Sequence, residues 1–374
     1  MKNEKRREFI KQLGLVAGST ALLPSLLSFD SIINTYKKEG SQKKINVALC
    51  GLGRYAKILA KGLEQTKQCK LTGLVTGTPE KEITWGQKYN IPKKNIYNYD
   101  NFDSIIDNKD IDLVYVVLPN SMHKEFTIRA ANAGKHVIVE KPMGLNALEC
   151  VEMIDACKKN GVQLAVGYRL HYEPHHKEIK RMGQEKVFGN IRYIDASLGY
   201  RIKGWKKDAW HLKKAMSGGG PLTNIGIYCV QSNRYILGEE PIAVTAQFGP
   251  VQRPDYFKEV EESITWQLEF PSGAVTTSAS SYSYNVDRLY ASGDDGFFEL
   301  EPALSYGPFK GKSSLGTFNF PVINQQQVQL DEISKCILNK EPLPMHIRGE
   351  EGHKDMLVID AIYKSAATGK KVVI

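Results

Sequence analysis

Lys44-Ile45-Asn46-Val47-Ala48-Leu49-Cys50, followed by Gly51-Leu52-Gly53-Arg54-Tyr55-Ala56, is the stretch on which the fold turns. Its first part is an apolar run of strand length, and residues 56–64 repeat their apolar positions at helical spacing. Between them stands G-x-G-x-x-A. The pattern is weak alone, but between a strand and a helix each small residue has a physical role. Gly51 makes the tight turn, Gly53 lets backbone approach a pyrophosphate, and Ala56 permits close helix packing, with the phosphates on the helix N-terminus. Arg54 and Tyr55 lie in the same turn and are counted with the cofactor contacts.

Outward from this motif, strands and helices alternate. The next strand, residues 70–76, ends at Thr76-Gly77-Thr78, where an NAD-preferring enzyme usually carries Asp or Glu to accept from the ribose 2′-hydroxyl. Without that carboxylate a 2′-phosphate meets no repulsion. Thr76 and Thr78 offer hydroxyl donors and Pro79 starts a helix bearing Lys81, so NADP is favoured over NAD, although Lys81 reads equally as a solvated helix lysine. Residues 111–118 form a buried strand, 123–133 a helix ending at Gly134, and 136–139 another strand. The alternation predicts a doubly wound parallel sheet with ligands at the carboxyl ends of its strands. Leu118, Pro119, Asn120, Glu140 and Lys141 therefore belong beside the cofactor.

The chain has 374 residues, enough for two or three domains, with 42% hydrophobic and 24% charged residues, which excludes disordered and polytopic membrane classes. The net charge is +9, of which the first 29 residues carry three units; the other basic residues are scattered among polar and acidic neighbours, as on a solvated surface. No helix-turn-helix, zinc-finger or RNA-binding signature points to nucleic acid. The six cysteines contain no Cys-x-x-Cys pair. Cys150 and Cys157 on one helix stand about 10 Å apart along its axis, too far for a disulfide. His123, His175 and His176 lack metal spacing, and no metal is expected.

The N-terminus reads Lys5-Arg6-Arg7-Glu8-Phe9-Ile10-Lys11 before an apolar run diluted by Gly14, Gly18, Ser19, Thr20, Pro24 and Ser25. It resembles a twin-arginine signal peptide over residues 1–29, with the mature start left open between about residues 25 and 35; a stable membrane anchor wants about 20 cleaner apolar residues. The twin-arginine export machinery is thus an expected partner and the periplasm the expected location. Residues 30–43 read as a linker or arm.

Glu140-Lys141-Pro142-Met143, preceded by Pro119-Asn120-Ser121-Met122-His123, resembles the glucose-fructose oxidoreductase, inositol dehydrogenase and rhizopine-catabolism (Gfo/Idh/MocA) family. Ile96-Tyr97-Asn98-Tyr99, Gly167-Tyr168-Arg169-Leu170-His171-Tyr172, Gly218-Gly219-Gly220-Pro221-Leu222-Thr223-Asn224-Ile225-Gly226-Ile227-Tyr228 and Ser280-Ser281-Tyr282-Ser283 are similar to its exported glucose-fructose oxidoreductase subgroup. The resemblance implies an α/β chain: a Rossmann domain over 44–165 and an α+β domain over 166–374 with an open, mainly antiparallel sheet. It also implies a last helix packed back on the first domain and a homodimer or homotetramer. Tyr97, His123 and Arg169 join the implied cofactor contacts.

The same resemblance implies that Lys141 binds the reacting oxygen and lowers the pKa of a neighbouring phenol, Tyr228. Asn224 and Tyr228, four apart, share one helix face. The family usually has Asp at position 224. Asn keeps the hydrogen bonds and loses the carboxylate, so it orients a hydroxyl but cannot shuttle a proton, which leaves that role to Tyr228. His171, Tyr172, Trp210 and His211 supply the polar and aromatic types a sugar site needs, and each also reads as a packed polar residue. The expected activity is that of an NADP-dependent sugar oxidoreductase whose retained cofactor oxidises one sugar and reduces another. A glycoside or polyol dehydrogenase with a separate acceptor, or a non-catalytic sugar- or nucleotide-binding homologue, remains open.

Overall fold

The computed structural model describes residues 43–374. The export segment and nearly all of the arm lie outside the described residues.

Strand β1 (Ile45–Cys50) buries Val47, Ala48, Leu49 and Cys50 completely, as a strand covered on both faces must. The chain turns at Gly51 into helix α1 (Arg54–Leu63), whose Ala56, Leu59, Ala60 and Leu63 form one buried stripe at helical spacing. Strands β2 (Cys69–Val75), β3 (Ile96–Tyr97), β4 (Leu113–Val116), β5 (His136–Val139) and β6 (Leu164–Val166) complete a parallel sheet of order β3-β2-β1-β4-β5-β6. Helices α2 (Pro79–Lys88), α3 (His123–Asn132) and α4 (Ala147–Lys159) connect its strands. The strand order reverses between β1 and β4, so the crevice at their carboxyl ends is the switch point where such sheets bind ligands.

After helix α5 (Pro174–Gln184), the second half builds a nine-stranded mixed sheet. Strands β7 (Ile191–Gly199), β8 (Ala243–Phe248), β9 (Ser263–Glu269), β10 (Val275–Ser281), β11 (Val286–Gly293) and β12 (Phe297–Leu300) form its body. The short β13 (Gly311–Ser313), β14 (Gly316–Phe318) and β15 (Val372–Val373) lie at its edges. All its pairings are antiparallel except β7 with β10. β9 and β10 are joined through Gly273, whose φ of 82° is easy for glycine and costly for other residues. Four helices follow β7: the short α6 (Lys214–Ser217), then α7 (Ile227–Leu237), α8 (Gln325–Asn339) and α9 (Gly349–Thr368). α7 is buried almost all round, against β7 and β10 on one side and α5 and α9 on the other, whereas α9 packs against both α4 of the first sheet and β8 of the second. The two sheets are thereby joined.

Among the described residues no helix is long and apolar enough to cross a membrane, and no group of three or more His, Cys, Asp or Glu residues is placed to hold a metal ion. All six cysteines are free.

Candidate active site

The glycine turn has two kinds of space around it. Gly51 has φ 98°, and a Cβ there would lie 2.5 Å from the Val117 carbonyl oxygen and 2.8 Å from Leu118 Cδ2. At Gly53 a Cβ would meet nothing within 4 Å. Gly51 is thus a glycine because the β1–β4 junction leaves no room, and Gly53 faces an open cradle. The N-terminus of α1 points into that cradle, with Gly53 as its cap residue and no side chain capping its free amides. These are the features a dinucleotide pyrophosphate requires, so the residues fit an NAD-type cofactor.

At the end of β2, Thr76 is buried and its hydroxyl accepts from the Thr78 amide at 3.2 Å. Gly77 is exposed and covered by the Tyr99 ring, 2.7 Å from where its Cβ would stand. Thr78 and Lys81 are half-buried and Arg54 is exposed. Tyr97, by contrast, is buried in the core, with its hydroxyl accepting from Asn108 Nδ2 at 2.7 Å, so Tyr99 is the tyrosine at this loop. At the ends of β4 and β5, Asn120 donates to the Ser217 carbonyl at 2.8 Å, tying the crevice to the second half of the chain. His123 sits between the Pro142 carbonyl (2.8 Å from Nδ1) and the Leu118 carbonyl (2.9 Å from Nε2). Burial lowers its pKa to about 4, so the neutral ring donates to one of the two at a time and braces both loops. With both nitrogens so placed, it positions Leu118, Pro119 and Pro142 without presenting a polar atom to a ligand.

Lys141 reaches the second half of the chain. Its Nζ donates to the Asn224 carbonyl at 2.5 Å and lies 4.7 Å from the centre of the Tyr228 ring. Asn224 lies in a π-helical turn, residues Leu222–Gly226, that precedes α7, a distortion common at functional sites. Gly219 and Gly220 lead into that turn: a Cβ on the first would overlap the Tyr363 hydroxyl, and one on the second would stand 2.4 Å from the Glu261 carbonyl. The half-buried Glu261 carboxylate accepts from the amides of Gly220 (2.9 Å) and Leu222 (3.1 Å) and from Tyr363 (2.9 Å), which fixes the approach to Asn224.

Burial raises the Tyr228 phenol above its usual pKa, and the charge of Arg169 pulls it down. Arg169, 4.9 Å from the ring centre, thus joins Lys141 as a second cation at the phenol. Burial also lowers Lys141 and raises Glu140, the latter to about 7. Glu140 accepts from Tyr115 Oη at 2.6 Å, and Tyr115 in turn accepts from Gln329 Nε2 at 2.9 Å. Tyr55 on the first turn of α1 completes the group, close enough to feel the charges of Glu140 and Arg169.

The Asn224 side chain donates to Tyr282 Oη at 2.7 Å. From there an aromatic wall extends outward: Tyr282 and Trp205 rings are 5.1 Å apart, Trp205 and His211 4.8 Å, and Trp210 stacks on His211 at 3.8 Å. Burial, with Lys141 nearby, lowers His211 to about 4, so it faces the site as a neutral ring. The structure therefore brings together Lys141, Asn224, Tyr228, Glu140, Arg169, Tyr55, Trp210 and His211. It does not bring in His171 or Tyr172. His171 packs among Tyr168, Tyr235 and His346, and the buried Tyr172 lies towards Cys336 and Glu332 of α8. Tyr306, Tyr200, Trp205 and Tyr282 had no assigned role in the sequence and stand at the site.

A dinucleotide cradle after β1 and, after β5 of the same sheet, a half-buried lysine against a buried tyrosine make the arrangement of a nicotinamide-dependent oxidoreductase. Residues 45–168 match the family model described as oxidoreductase family, NAD-binding Rossmann fold (GFO_IDH_MocA), and residues 176–299 match the GFO/IDH/MocA C-terminal domain. The chain belongs to the Gfo/Idh/MocA oxidoreductases. It is 41% identical to the aldose-aldose oxidoreductase from Caulobacter crescentus, whose structure superposes with a TM-score of 0.85 over 89% of this chain and 100% of that one. It is 27% identical to the D-xylose 1-dehydrogenase [NADP(+)] of Haloarcula marismortui, over 81% of this chain and 86% of that protein. It is also 30% identical to the 2,7-anhydro-N-acetylneuraminate hydratase of Escherichia coli, over 86% and 84% respectively.

Proposed function

We propose that the protein is a periplasmic, NADP-dependent sugar oxidoreductase that keeps its cofactor, oxidising one aldose and reducing a second sugar in turn. The observation that carries this reading is the meeting of Lys141 and Tyr228 beside the open Gly53 cradle. Its likeness to the aldose-aldose oxidoreductase along all of that protein's length supports the pairing of two sugars. Bound nicotinamide supplies hydride exchange with the sugar carbon. The chain's own residues do the rest. Lys141 steadies the reacting oxygen, and Tyr228 takes the hydroxyl proton on oxidation and returns it on reduction. Asn224 and the Trp205, Trp210 and His211 wall offer hydrogen bonds and an apolar face to the sugar ring.

Three further parts of this reading rest on sequence. The missing carboxylate at Thr76-Gly77-Thr78 and the NADP-dependent xylose dehydrogenase favour NADP over NAD. The paired Arg6-Arg7 motif supports twin-arginine export, and a periplasmic enzyme without access to free NADP gains from retaining its cofactor. A homodimer or homotetramer follows from the family resemblance.

The test is to purify the mature protein without added nucleotide, denature it, and identify any released dinucleotide by chromatography and mass against protein concentration. Near-stoichiometric NADP is the expected result. An empty protein that binds NAD or NADP would replace this reading with a dissociable dehydrogenase, and one that binds neither would overturn it.

A further inference from the structure

We propose that Arg169, clamped between Tyr228 and Tyr306, is a positioning residue for the proton-carrying phenol of Tyr228. The inference rests on the reading of Tyr228 as the residue that exchanges a proton with the sugar.

Arg169 is 1% exposed, yet its bonds go to neutral acceptors: Nη1 donates to Gln325 Oε1 at 2.6 Å and Nη2 to the Leu304 carbonyl at 3.0 Å, while Nε has no partner. A buried guanidinium without a carboxylate bonded to it is costly unless neighbouring groups offset its charge. Its two faces show which groups those are. The guanidinium carbon is 4.9 Å from the centre of the Tyr228 ring and 4.6 Å from that of Tyr306. The charge is best compensated when Tyr228 is a phenolate, which is the form that accepts a proton from a sugar hydroxyl. The titratable and charged groups facing the phenol are Arg169, Glu140, Lys141, Tyr55 and Tyr306; of these Glu140, when ionised, opposes deprotonation, and Arg169 favours it, as does Lys141 when charged.

Tyr306 is 57% exposed, but its loop is not loose. The Asp287 carboxylate, on β11, accepts from the amides of Ala303 (2.9 Å), Leu304 (2.6 Å) and Ser305 (3.3 Å). The Ala303 carbonyl can only accept, so His176 Nε2–H donates to it at 2.7 Å and Nδ1 accepts from Tyr235 Oη at 2.5 Å. The second sheet therefore holds the loop, the loop holds Leu304 and Tyr306 against Arg169, and Arg169 holds its charge against Tyr228 and away from water.

The experiment measures kcat/KM for sugar oxidation against pH in the cofactor-loaded full chain, together with an ultraviolet titration of tyrosinate referenced to Tyr228→Phe. The variants are Arg169→Gln, Arg169→Lys and Tyr306→Ala, each checked for folding by circular dichroism. Arg169→Gln is expected to move the rising limb up by about one pH unit or more, a tenfold loss of rate at a fixed pH below it. Arg169→Lys restores part of the shift. Tyr306→Ala, which lets water reach the guanidinium, moves the limb the same way by less. A folded Arg169→Gln protein with the wild-type limb and the wild-type tyrosinate titration would overturn the proposal. If Arg169→Gln does not fold, Tyr306→Ala decides, because an exposed ring is removed without emptying the core; an unmoved limb and titration there overturn it as well. Should the wild type turn over no sugar at all, the functional reading fails, while the tyrosinate titration still decides the role of Arg169.

Discussion

Two glycines two residues apart should fail in opposite ways. Gly53→Ala adds a methyl where nothing lies within 4 Å, on a backbone with φ −85° that alanine adopts freely. Folding stability should stay level or rise by about 0.4–1 kcal/mol, because the unfolded chain loses freedom. The methyl nonetheless fills the space that the pyrophosphate needs in order to reach the α1 amides. Losing two charge-assisted bonds at about 1.5–3 kcal/mol each weakens dinucleotide binding by roughly 3–6 kcal/mol, on the order of a hundredfold or more in Kd. Gly51→Ala instead forces alanine to φ 98° with its Cβ 2.5 Å from the Val117 carbonyl. Left-handed strain of about 1–2 kcal/mol and overpacking of about 1–3 kcal/mol give a loss of roughly 2–5 kcal/mol in fold stability. Thermal melts of nucleotide-free protein and fluorescence titrations with NADPH and NADH separate the two effects. A Gly53→Ala protein that binds dinucleotide like the wild type, or that melts as early as Gly51→Ala, would refute the reasoning.

Lys141→Ala and Tyr228→Phe should each lower sugar turnover by about 10²–10⁴-fold with the fold intact, measured by steady-state kinetics alongside circular dichroism; unchanged turnover in both would remove the proposed chemistry. Thr76→Asp places a carboxylate at the end of β2 and should raise the ratio of the NADPH to the NADH dissociation constant by about tenfold or more, read from paired titrations. Burial lifts Glu140 from 4.5 to about 7, so between those values the folded protein keeps a proton that the unfolded chain has released. Its contribution is therefore a stability that falls as pH rises from about 4.5 to about 7 and then levels off, and Glu140→Gln should flatten that slope in denaturant melts taken across the window. Asn224→Asp should change turnover by no more than about tenfold, because the wild type already has the proton carrier it needs; strong activation from a near-zero baseline would instead identify a binding protein.

The first half of the chain was legible because parallel strands buried on both faces leave unbroken apolar runs, and the glycine spacing follows from local geometry. β1, Gly51 and Gly53 stand where the sequence implied for those reasons. Positions fixed by tertiary packing were not legible. Tyr97 and Tyr99 belong to one motif, yet the chain leaves β3 at Asn98 in a turn that Asn98 and Asn101 close on each other, which sends Tyr97 to the core and Tyr99 over Gly77. Gln325 opens a run of three glutamines that carries no local signal of a partner, and it holds Arg169 from 156 residues away. Tyr306 sits in a loop without periodicity. The loop is held by long-range bonds, from the amides of Ala303, Leu304 and Ser305 to the Asp287 carboxylate and from His176 and Arg169 to the Ala303 and Leu304 carbonyls, and no local pattern records those pairings.

Position 224 shows how much of a substitution's meaning depends on which atom does the work. Read as a side chain, Asn in place of Asp removes a charge from the proton path. In the structure the contact to Lys141 is made by the main-chain carbonyl of residue 224, which any residue would supply. The side chain does something else: its Nδ2 donates to Tyr282 Oη, which an aspartate could not do. Asn224 thus exchanges a charge beside Lys141 for a neutral donor that ties the catalytic turn to the aromatic wall. The orientation of Lys141 is unaffected by that exchange, and its electrostatic balance is not. With no carboxylate at 224, the groups left to counter the cations around Tyr228 are Glu140, held near neutrality by burial, and the phenol itself. Such a site places its negative charge on Tyr228 when it works, which is why the neighbouring buried guanidinium has no carboxylate bonded to it.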